Sequence, residues 1–338
     1  MQGVSIRLLT DHLSAVVHAA VPDQSLKEFD LLRHGRPPPA DVRWIIDSRP
    51  STSVGSQWQR KRTKAVVMEQ PGAGTVSPLA DDDPVSIDRY ELLGRLGQGG
   101  FGTVYLARDA ERIVALKALR LDREHDPMRL RGFESEVNVL KVAPADAVAV
   151  LLDADLESSR PYLVMEYLNG PTLRDHVDEH GPYSGEQLRD LATALAGTVN
   201  LLHQAGVVHR DIKPRNILLV DRPRLVDFGN ADCGPDIWQA PSGALFGSTK
   251  WMAHEQVMGL PVGAWTDVHA WALSLAFAAT GEPPFQAQSV PAMVLRVITV
   301  DPTIPDTVDP VLAEILRACL AKQSGDRPTM AEVVAALD

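Results

Sequence analysis

The stretch "HRDIKPRN", His209–Asn216, brings three kinds of polar side chain together in one short loop. Asp211 supplies a carboxylate, Lys213 an ammonium group two residues later, and Asn216 an amide three residues after that. Solvated loops often mix such groups, so this spacing alone does not indicate a function. What the loop does depends on the other motifs of the chain and on their order.

The composition is that of an ordinary globular protein, and it narrows the classes of function. The chain has 338 residues, of which 45% are hydrophobic and 23% charged, and its formal net charge is −11. Because the chain is acidic, we expect no nonspecific binding to nucleic acid or to anionic lipid. The longest apolar run, Ala270–Ala279, has about half of the ~20 residues that a membrane-spanning helix needs, so we expect no membrane anchor.

The cysteines indicate the compartment. Cys233 and Cys319 lie 86 residues apart and show neither the spacing of metal ligands nor a disulfide framework. This usage predicts a reducing, cytoplasmic location.

The first part of the chain differs in charge from the rest. Residues 1–67 contain ten Lys and Arg against six Asp and Glu, whereas the remainder is strongly acidic. The stretch "QPGAGTVSPLADDDP", Gln70–Pro84, is typical of a flexible linker. We therefore predict an N-terminal extension over residues 1–86 and one further domain over 87–338. Met68, just before the linker, is a second candidate for the first residue.

Beyond the linker, strands come first and helices later. The stretch from Tyr90 to Leu121 alternates apolar and polar residues and predicts three consecutive strands, with a helix following from about Met128. "PYLVMEYL", from Pro161, predicts a buried strand. Later segments have helical periodicity, with capping boxes predicted at Ser184 and at Thr329. This order predicts an α+β fold with two segregated lobes.

Glycines in "LGQGGFGTV" indicate a site for phosphates. Gly97, Gly99 and Gly102 form a G-x-G-x-x-G pattern, which is a weak signal by itself. A dinucleotide fold would place a helix after the loop, but here strand patterns lie on both sides. A hairpin tip without side chains can fold over a triphosphate and offer its backbone N–H groups.

Lys117, at the end of "VALK", follows three apolar residues and therefore needs an anionic partner. Most lysines are simply exposed, which is the plain alternative. Glu136, on the following predicted helix, is the carboxylate we expect, because it shares the inward face with apolar residues. Glu134 is the competitor, but it lies about 200° away around that helix.

The loop of the opening stretch gains a partner in "LVDFGNAD". Asp227 ends an apolar strand pattern sixteen residues after Asp211. An aspartate and an asparagine (Asn216) that meet at one point suit Mg²⁺, which prefers oxygen ligands and bridges phosphates. Asp211 would then accept the proton of an attacking hydroxyl or orient that hydroxyl, and Lys213 would neutralise the phosphoryl group in transfer.

Taken in order, these motifs resemble the eukaryotic-type serine/threonine protein kinase family, in a soluble, bacterial-like form. The resemblance covers residues 87–338 and implies the two-lobed kinase fold, with an N-lobe over 87–168 and a C-lobe over 169–338. It implies ATP and Mg²⁺ as cofactors, protein serine or threonine hydroxyls as substrates, and autophosphorylation.

The resemblance also implies roles for individual residues. Catalysis would use Asp211, Lys213, Lys117 and Glu136, and the metal would be held by Asn216 and Asp227. The nucleotide would be bound by Leu96, Gly97, Gln98, Gly99, Gly100, Phe101, Gly102, Thr103, Val104, Ala115, Lys117, Met165, Glu166, Leu168 and Leu218. Structural roles would fall to Asp267, bracing the "HRD" backbone, and to an ion pair between Glu255 and Arg327.

Departures from the family pattern affect regulation. The segment "GSTKWMAHE" has His254 where the family has Pro, and Trp251 where Tyr is usual. Arg210 implies an anion that orders the following loop, but Ser242 is the only hydroxyl acceptor in the usual region. Ser248 falls where such a kinase places the hydroxyl that touches the catalytic aspartate.

Alternatives remain open at this point. The chain can be an active serine/threonine kinase, a pseudokinase that binds nucleotide and scaffolds partners, or a kinase of small molecules.

The basic run in "WQRKRTKAVV", which begins at Trp58, can be a solvated segment or can dock on the acidic kinase body as an autophosphorylation site or tethered inhibitor.

Overall fold

The computed structural model describes residues 76–99, 102–119, 127–231 and 249–338, with side chains omitted for 127–129. All of the described residues belong to one compact unit. The boundary predicted at residue 87 stays a prediction. The predictions for the following residues and segment fall outside the described ranges: Gly100, Phe101, Cys233, Ser242, Ser248 and the basic N-terminal extension.

The described elements follow the predicted order, strands first and helices later. The strands are β1 Ser86–Ile87, β2 Tyr90–Gln98, β3 Thr103–Asp109, β4 Arg112–Ala118, β5 Leu151–Asp155, β6 Tyr162–Glu166, β7 Ile217–Leu219 and β8 Pro223–Leu225. The α-helices are α1 Pro127–Val142, α2 Leu173–His180, α3 Gly185–Gln204, α4 His254–Val257, α5 Ala264–Thr280, α6 Val290–Thr299, α7 Pro310–Cys319 and α8 Met330–Leu337. Short 3-10 helices cover Pro214–Asn216, Thr249–Trp251 and Ser324–Asp326.

Six strands form one antiparallel sheet in the order β1-β2-β3-β4-β6-β5. The three consecutive strands predicted after the linker are β2, β3 and β4, and the predicted buried strand is β6. Both predictions are confirmed. Alternate residues of each strand face a shared apolar core that includes Tyr90, Tyr105, Leu116 and Val164. This sheet with helix α1 is the smaller, β-rich lobe.

Part of the predicted linker lies against this sheet. Ser77 pairs with Arg95 of β2 through backbone hydrogen bonds of 2.8 and 2.7 Å. The Arg95 Nη2 atom donates to Asp83 Oδ1 at 2.7 Å, as does the Tyr105 hydroxyl. The hydrogen bond from Arg95 holds the pKa of Asp83 down to about 2. The composition of the stretch is that of a linker, but its second half is held by specific contacts from residue 76 onward.

The larger lobe is helical and is centred on α5. Thirteen residues of this helix are buried, among them Trp271 and Phe277, as its apolar composition on every face predicts. Helices α3, α7 and α8 pack against it. Among the described residues no helix combines the length and the apolar character that crossing a bilayer requires.

The two predicted capping boxes had different outcomes. Thr329 accepts from the Glu332 N–H at 3.3 Å and Glu332 accepts from the Thr329 N–H at 2.7 Å, so that box is confirmed. The prediction at Ser184 was wrong: Ser184 is the N-cap of α3, but its side chain makes no capping hydrogen bond. The first helical residue, Gly185, has a φ of 53°, which departs from helical geometry.

Candidate active site

A cleft of about 500 Å³ lies between the sheet and the catalytic loop, the name we use for His209–Asn216. Its size suits a ligand of the dimensions of a nucleotide. Its lining residues are Leu96, Gly97, Gln98, Gly99, Gly102, Val104, Ala115, Lys117, Glu136, Ala149, Met165, Glu166, Tyr167, Leu168, Gly170, Thr172, Asp175, Arg215, Asn216, Leu218, Val226 and Asp227.

The structure brings most of the predicted site residues to this cleft. Every nucleotide-binding residue predicted within the described ranges lines it, except Thr103. Neighbours on a strand face opposite sides, so Thr103 is buried while Val104 faces the cleft. Asp211 and Lys213 are not lining residues, but both connect to the cleft through the loop described below.

The glycine loop is closed by backbone contacts. Gly99 N–H donates to the Gly102 carbonyl at 2.9 Å, directly beside the pair of Gln98 and Thr103. A Cβ atom at Gly102 would collide with the carbonyl oxygen of Ala118 on β4. Glycine is therefore required at this position by the close approach of two strands.

Lys117 is the centre of a buried charge cluster. Its Nζ atom lies 2.8 and 2.7 Å from the two carboxylate oxygens of Glu136 and 2.8 Å from Asp227 Oδ1. Lys117 and Glu136 are 4% and 1% exposed, whereas the Asp227 side chain is 42% exposed and reaches the cleft. Glu134, the competing carboxylate, is exposed.

The protonation of this cluster follows from its geometry. Burial alone would lower the pKa of Lys117, but the charges of Asp227 and Glu136 outweigh burial and raise it. The same ammonium group lowers the pKa of Asp227 to about 2. Burial raises the pKa of Glu136, and the Lys117 charge partly offsets that rise. The cluster therefore presents a fixed ammonium group and an ionised Asp227 to the cleft.

The opening stretch forms a hydrogen-bonded loop around Asp211. Lys213 Nζ donates to Asp211 Oδ2 at 2.6 Å, and Asn216 Nδ2 donates to the Asp211 carbonyl at 2.9 Å and to Oδ2 at 3.2 Å. Burial raises the pKa of Asp211, partly offset by Lys213. The ammonium and amide groups of the stretch therefore both bind its carboxylate.

A buried carboxylate of α5 holds the backbone of this loop. Asp267 accepts from the N–H groups of His209 and Arg210, both at 2.8 Å, and from His203 Nε2 at 3.1 Å. Gln256 of α4 donates to the Arg210 carbonyl at 2.8 Å. These contacts fix Arg210 at a φ of 65°, a left-handed conformation uncommon for a residue with a side chain.

The end of the cleft where a nucleotide base would bind is apolar. Ala115 on β4 pairs with Met165 on β6, and both line the cleft together with Val104 of β3 and Leu218 of β7. Glu166, the last residue of β6, and Tyr167 and Leu168 after it also line the cleft and supply its polar rim. An apolar slot with a polar rim suits a planar heterocycle.

Several lining residues were missed by the motifs. Tyr167, Arg215 and Val226 are direct neighbours of predicted residues, so extending each motif by one position would have found them. Thr172 reaches the cleft because its backbone bridges to Leu218, and Asp175 follows it on α2. No local pattern marks this pairing, because it joins positions 46 residues apart in the chain.

The donor set fits a hard divalent cation that shares its ligands with phosphate. Asp227 offers an ionised carboxylate and Asn216 an amide oxygen, both at the cleft wall. The described residues hold no group of three or more His, Cys, Asp or Glu side chains suited to a metal ion. A bound Mg²⁺ would therefore take its other ligands from phosphate and water, as this ion commonly does.

The predicted ion pair of the C-lobe is present and buried. Arg327 donates to both oxygens of Glu255, at 2.7 and 2.9 Å, and to the carbonyl oxygens of Ala321 and Trp265. Thr266 donates to the same Glu255 carboxylate at 2.8 Å. The pair joins α4 to the segment before α8.

Comparisons with known proteins agree with this geometry. The sequence model of the protein kinase domain matches residues 90–336. The chain is 38% identical over 264 residues to a probable serine/threonine-protein kinase, PkwA, of Thermomonospora curvata, covering 78% of this chain and 35% of that protein. It is 34% identical over 265 residues to the serine/threonine-protein kinase AfsK of Streptomyces coelicolor, with coverages of 78% and 33%. For the serine/threonine-protein kinase PknB of Mycolicibacterium smegmatis the identity is 36% over 267 residues, with coverages of 74% and 42%.

The chain thus spans about a third to two fifths of the length of these curated relatives. The match to the family extends over both lobes and over every motif around the cleft. The two-lobed fold, the glycine hairpin and the order of the motifs lead to the same assignment: this chain belongs to the protein kinase family.

Proposed function

We propose that this chain is a serine/threonine protein kinase that transfers the γ-phosphoryl group of ATP to hydroxyl groups of proteins. One observation supports this above all. Lys117 Nζ lies within 2.8 Å of the carboxylates of Glu136, on α1, and of Asp227, two residues after β8. A buried lysine shared by two distant carboxylates at a cleft wall is an arrangement suited to holding phosphates.

In the proposed complex the nucleotide occupies the cleft. Val104, Ala115 and Leu218 enclose the base, with Met165 behind it, and Glu166 and Leu168 bind its edge through their backbone. The glycine hairpin covers the phosphates, and Lys117 binds their oxygens while Glu136 fixes its position. Asn216 and Asp227 would hold Mg²⁺, which when bound neutralises charge on the phosphates.

The transfer step uses the catalytic loop. The oxygen of a serine or threonine hydroxyl forms a bond to the γ-phosphorus, and the bond from that phosphorus to the bridging oxygen breaks, so that ADP leaves. Asp211 accepts the hydroxyl proton, and its raised pKa makes it a stronger base than an ordinary aspartate. Lys213, 2.6 Å from that carboxylate, offsets negative charge on the phosphoryl group in transfer.

Labelled ATP tests the proposal. The full chain is incubated with Mg²⁺ and γ-labelled ATP, with an acidic and a basic acceptor protein, and the labelled residues are identified. We expect label on serine or threonine. Asp211→Asn should lose it, while the exposed control Asp306→Asn should retain it. ATP binding without transfer under these conditions would instead indicate a pseudokinase, and label only on added small molecules would indicate a different substrate class.

Two finer points belong to the same proposal. We propose that the basic run from Trp58 docks on the acidic kinase domain as an autophosphorylation site or tethered inhibitor. The opposite charges of the two parts support this. We also propose that the chain works in the reducing cytoplasm. Cys319 supports this, because it is a free thiol and forms no disulfide. Deleting residues 1–67 and measuring activity across salt concentrations tests the first point, since identical profiles would remove it.

A further inference from the structure

Three cationic side chains from separate segments form what we call the basic patch: Arg174, Arg215 and Lys250. An aromatic pair connects two of them. The Arg174 guanidinium carbon lies 5.0 Å from the centre of the Phe277 ring, which lies 5.7 Å from the Trp251 ring. Lys250 Nζ lies 5.9 Å from the centre of the same Trp251 ring. The two cations are therefore held on one edge-to-face pair of buried rings.

The basic patch lies beside the position of the acceptor hydroxyl. Arg215 is exposed and directly precedes Asn216, whose amide is hydrogen-bonded to Asp211. Helix α2, which carries Arg174, packs against the 3-10 helix that contains Arg215. An extended peptide advances about 3.3–3.6 Å per residue, so residues a few positions from the acceptor reach this surface.

The charges of the basic patch are only partly balanced. Arg174 pairs with Asp178 at 2.7 Å. Lys250 and Arg215 form no ion pair with any residue that the structure describes. The nearby carboxylate of Asp175 is already engaged, because it accepts from the Thr172 hydroxyl at 2.7 Å.

The electrostatic environment of Lys250 agrees with this picture. Burial, and then the charges of Arg174 and Arg215, lower the pKa of its ammonium group. Holding like charges close together costs free energy, and a bound anion would offset that cost.

Resting on the proposed kinase activity, we propose that the basic patch binds aspartate and glutamate side chains that flank the acceptor hydroxyl, so that this chain selects acidic segments of its protein substrates. Several partly exposed charge pairs would act together here, which favours specificity over affinity. The same charges disfavour Thr63 as an autophosphorylation site, because Arg60, Lys61 and Arg62 directly precede it.

Peptide binding tests this inference without requiring turnover. Fluorescein-labelled peptides share one central serine and differ only in flanks of Asp and Glu, of Ala, or of Lys and Arg. Binding to the full chain is measured by anisotropy with Mg²⁺ and a non-hydrolysable ATP analogue at low and high salt. The acidic peptide should bind about tenfold more tightly than the basic one at low salt, and the difference should shrink at high salt.

Variants assign the effect to the basic patch. Lys250→Glu should weaken binding of the acidic peptide about tenfold and strengthen that of the basic peptide, and Arg215→Glu should act in the same direction. Arg317→Glu, an exposed arginine of α7 without an ion pair among the described residues, is the matched control and should change binding less than twofold. Equal binding of the acidic and alanine peptides, or equal losses in all three variants, would overturn the inference.

Two further arms separate related explanations. A peptide with phosphoserine flanks is measured in the same way. If it binds tightly while the peptide with Asp and Glu flanks binds no better than the alanine peptide, the proposal that the basic patch binds carboxylates is wrong. Phosphorylation of the same peptides is measured in parallel. Selective binding of the acidic peptide without transfer to any peptide would support the basic patch and contradict the proposed activity instead.

Discussion

Replacement of Arg327 by alanine should be among the most destabilising single changes in the C-lobe. The Arg327 side chain is fully buried, and the Glu255 side chain is 4% exposed. After the change, the Glu255 carboxylate keeps the Thr266 hydroxyl as a partner but loses its counter-charge. Removing one member of a buried ion pair costs about 3–5 kcal/mol, a large part of the roughly 5–15 kcal/mol of a typical domain.

Thermal unfolding followed by circular dichroism measures this cost. At roughly 2–4 °C per kcal/mol for a domain of this size, we expect Tm to fall by about 10 °C. Arg89→Ala is the control: it removes exposed ion pairs to Asp109 and Asp153 and should cost less than about 1 kcal/mol. A double variant, Glu255→Leu with Arg327→Met, should lose less stability than Arg327→Met alone. A Tm for Arg327→Ala within 2 °C of the parent protein would refute the reasoning.

Three further predictions concern the site and the core. As pH falls, kcat/KM should drop to half of its maximum at a pH above 3.8, because activity is lost as Asp211 is protonated and the pKa of its carboxyl is raised. A midpoint below pH 3.8 would contradict the role of Asp211 as the base. Gly102→Ala should raise the KM for ATP at least about tenfold by pushing β3 from β4, and Gly99→Ala, whose added Cβ meets nothing within 4 Å, should raise it less; equal effects would contradict the packing argument. Cys319, with a thiol pKa raised to about 12 by burial, should resist iodoacetamide at pH 8 until the protein is unfolded. Mass spectrometry of the peptides separates Cys319 from Cys233, and rapid labelling of Cys319 in the native protein would show that its burial is wrong.

The motifs predicted the parts of the site that local sequence determines. The patterns of "VALK" and "LVDFGNAD" predict that Lys117 and Asp227 end strands. In the structure Lys117 is the penultimate residue of β4, Asp227 lies two residues after β8, and both line the cleft. The choice of Glu136 over Glu134 needed only the helical repeat, because the two side chains point to opposite faces of α1. Periodicity and the order of the motifs were therefore enough to predict most of the fold.

What sequence reasoning missed depends on contacts between distant segments. The pairing of Ser77 with Arg95 cannot be seen in a stretch whose composition is that of a linker. Likewise, Arg174, Arg215 and Lys250 have no common motif, because three different elements bring them together. A capping pattern at Ser184 failed for a local reason, since the following glycine adopts a positive φ.

A crystal structure of the full chain with a non-hydrolysable ATP analogue and Mg²⁺ tests the central claim most directly. We predict that Lys117 Nζ lies within hydrogen-bond distance of a phosphate oxygen while it keeps its contact with Glu136, and that oxygens of Asn216 and Asp227 bind the metal. A nucleotide bound in the cleft with Lys117 and Asp227 both turned away from its phosphates would contradict it.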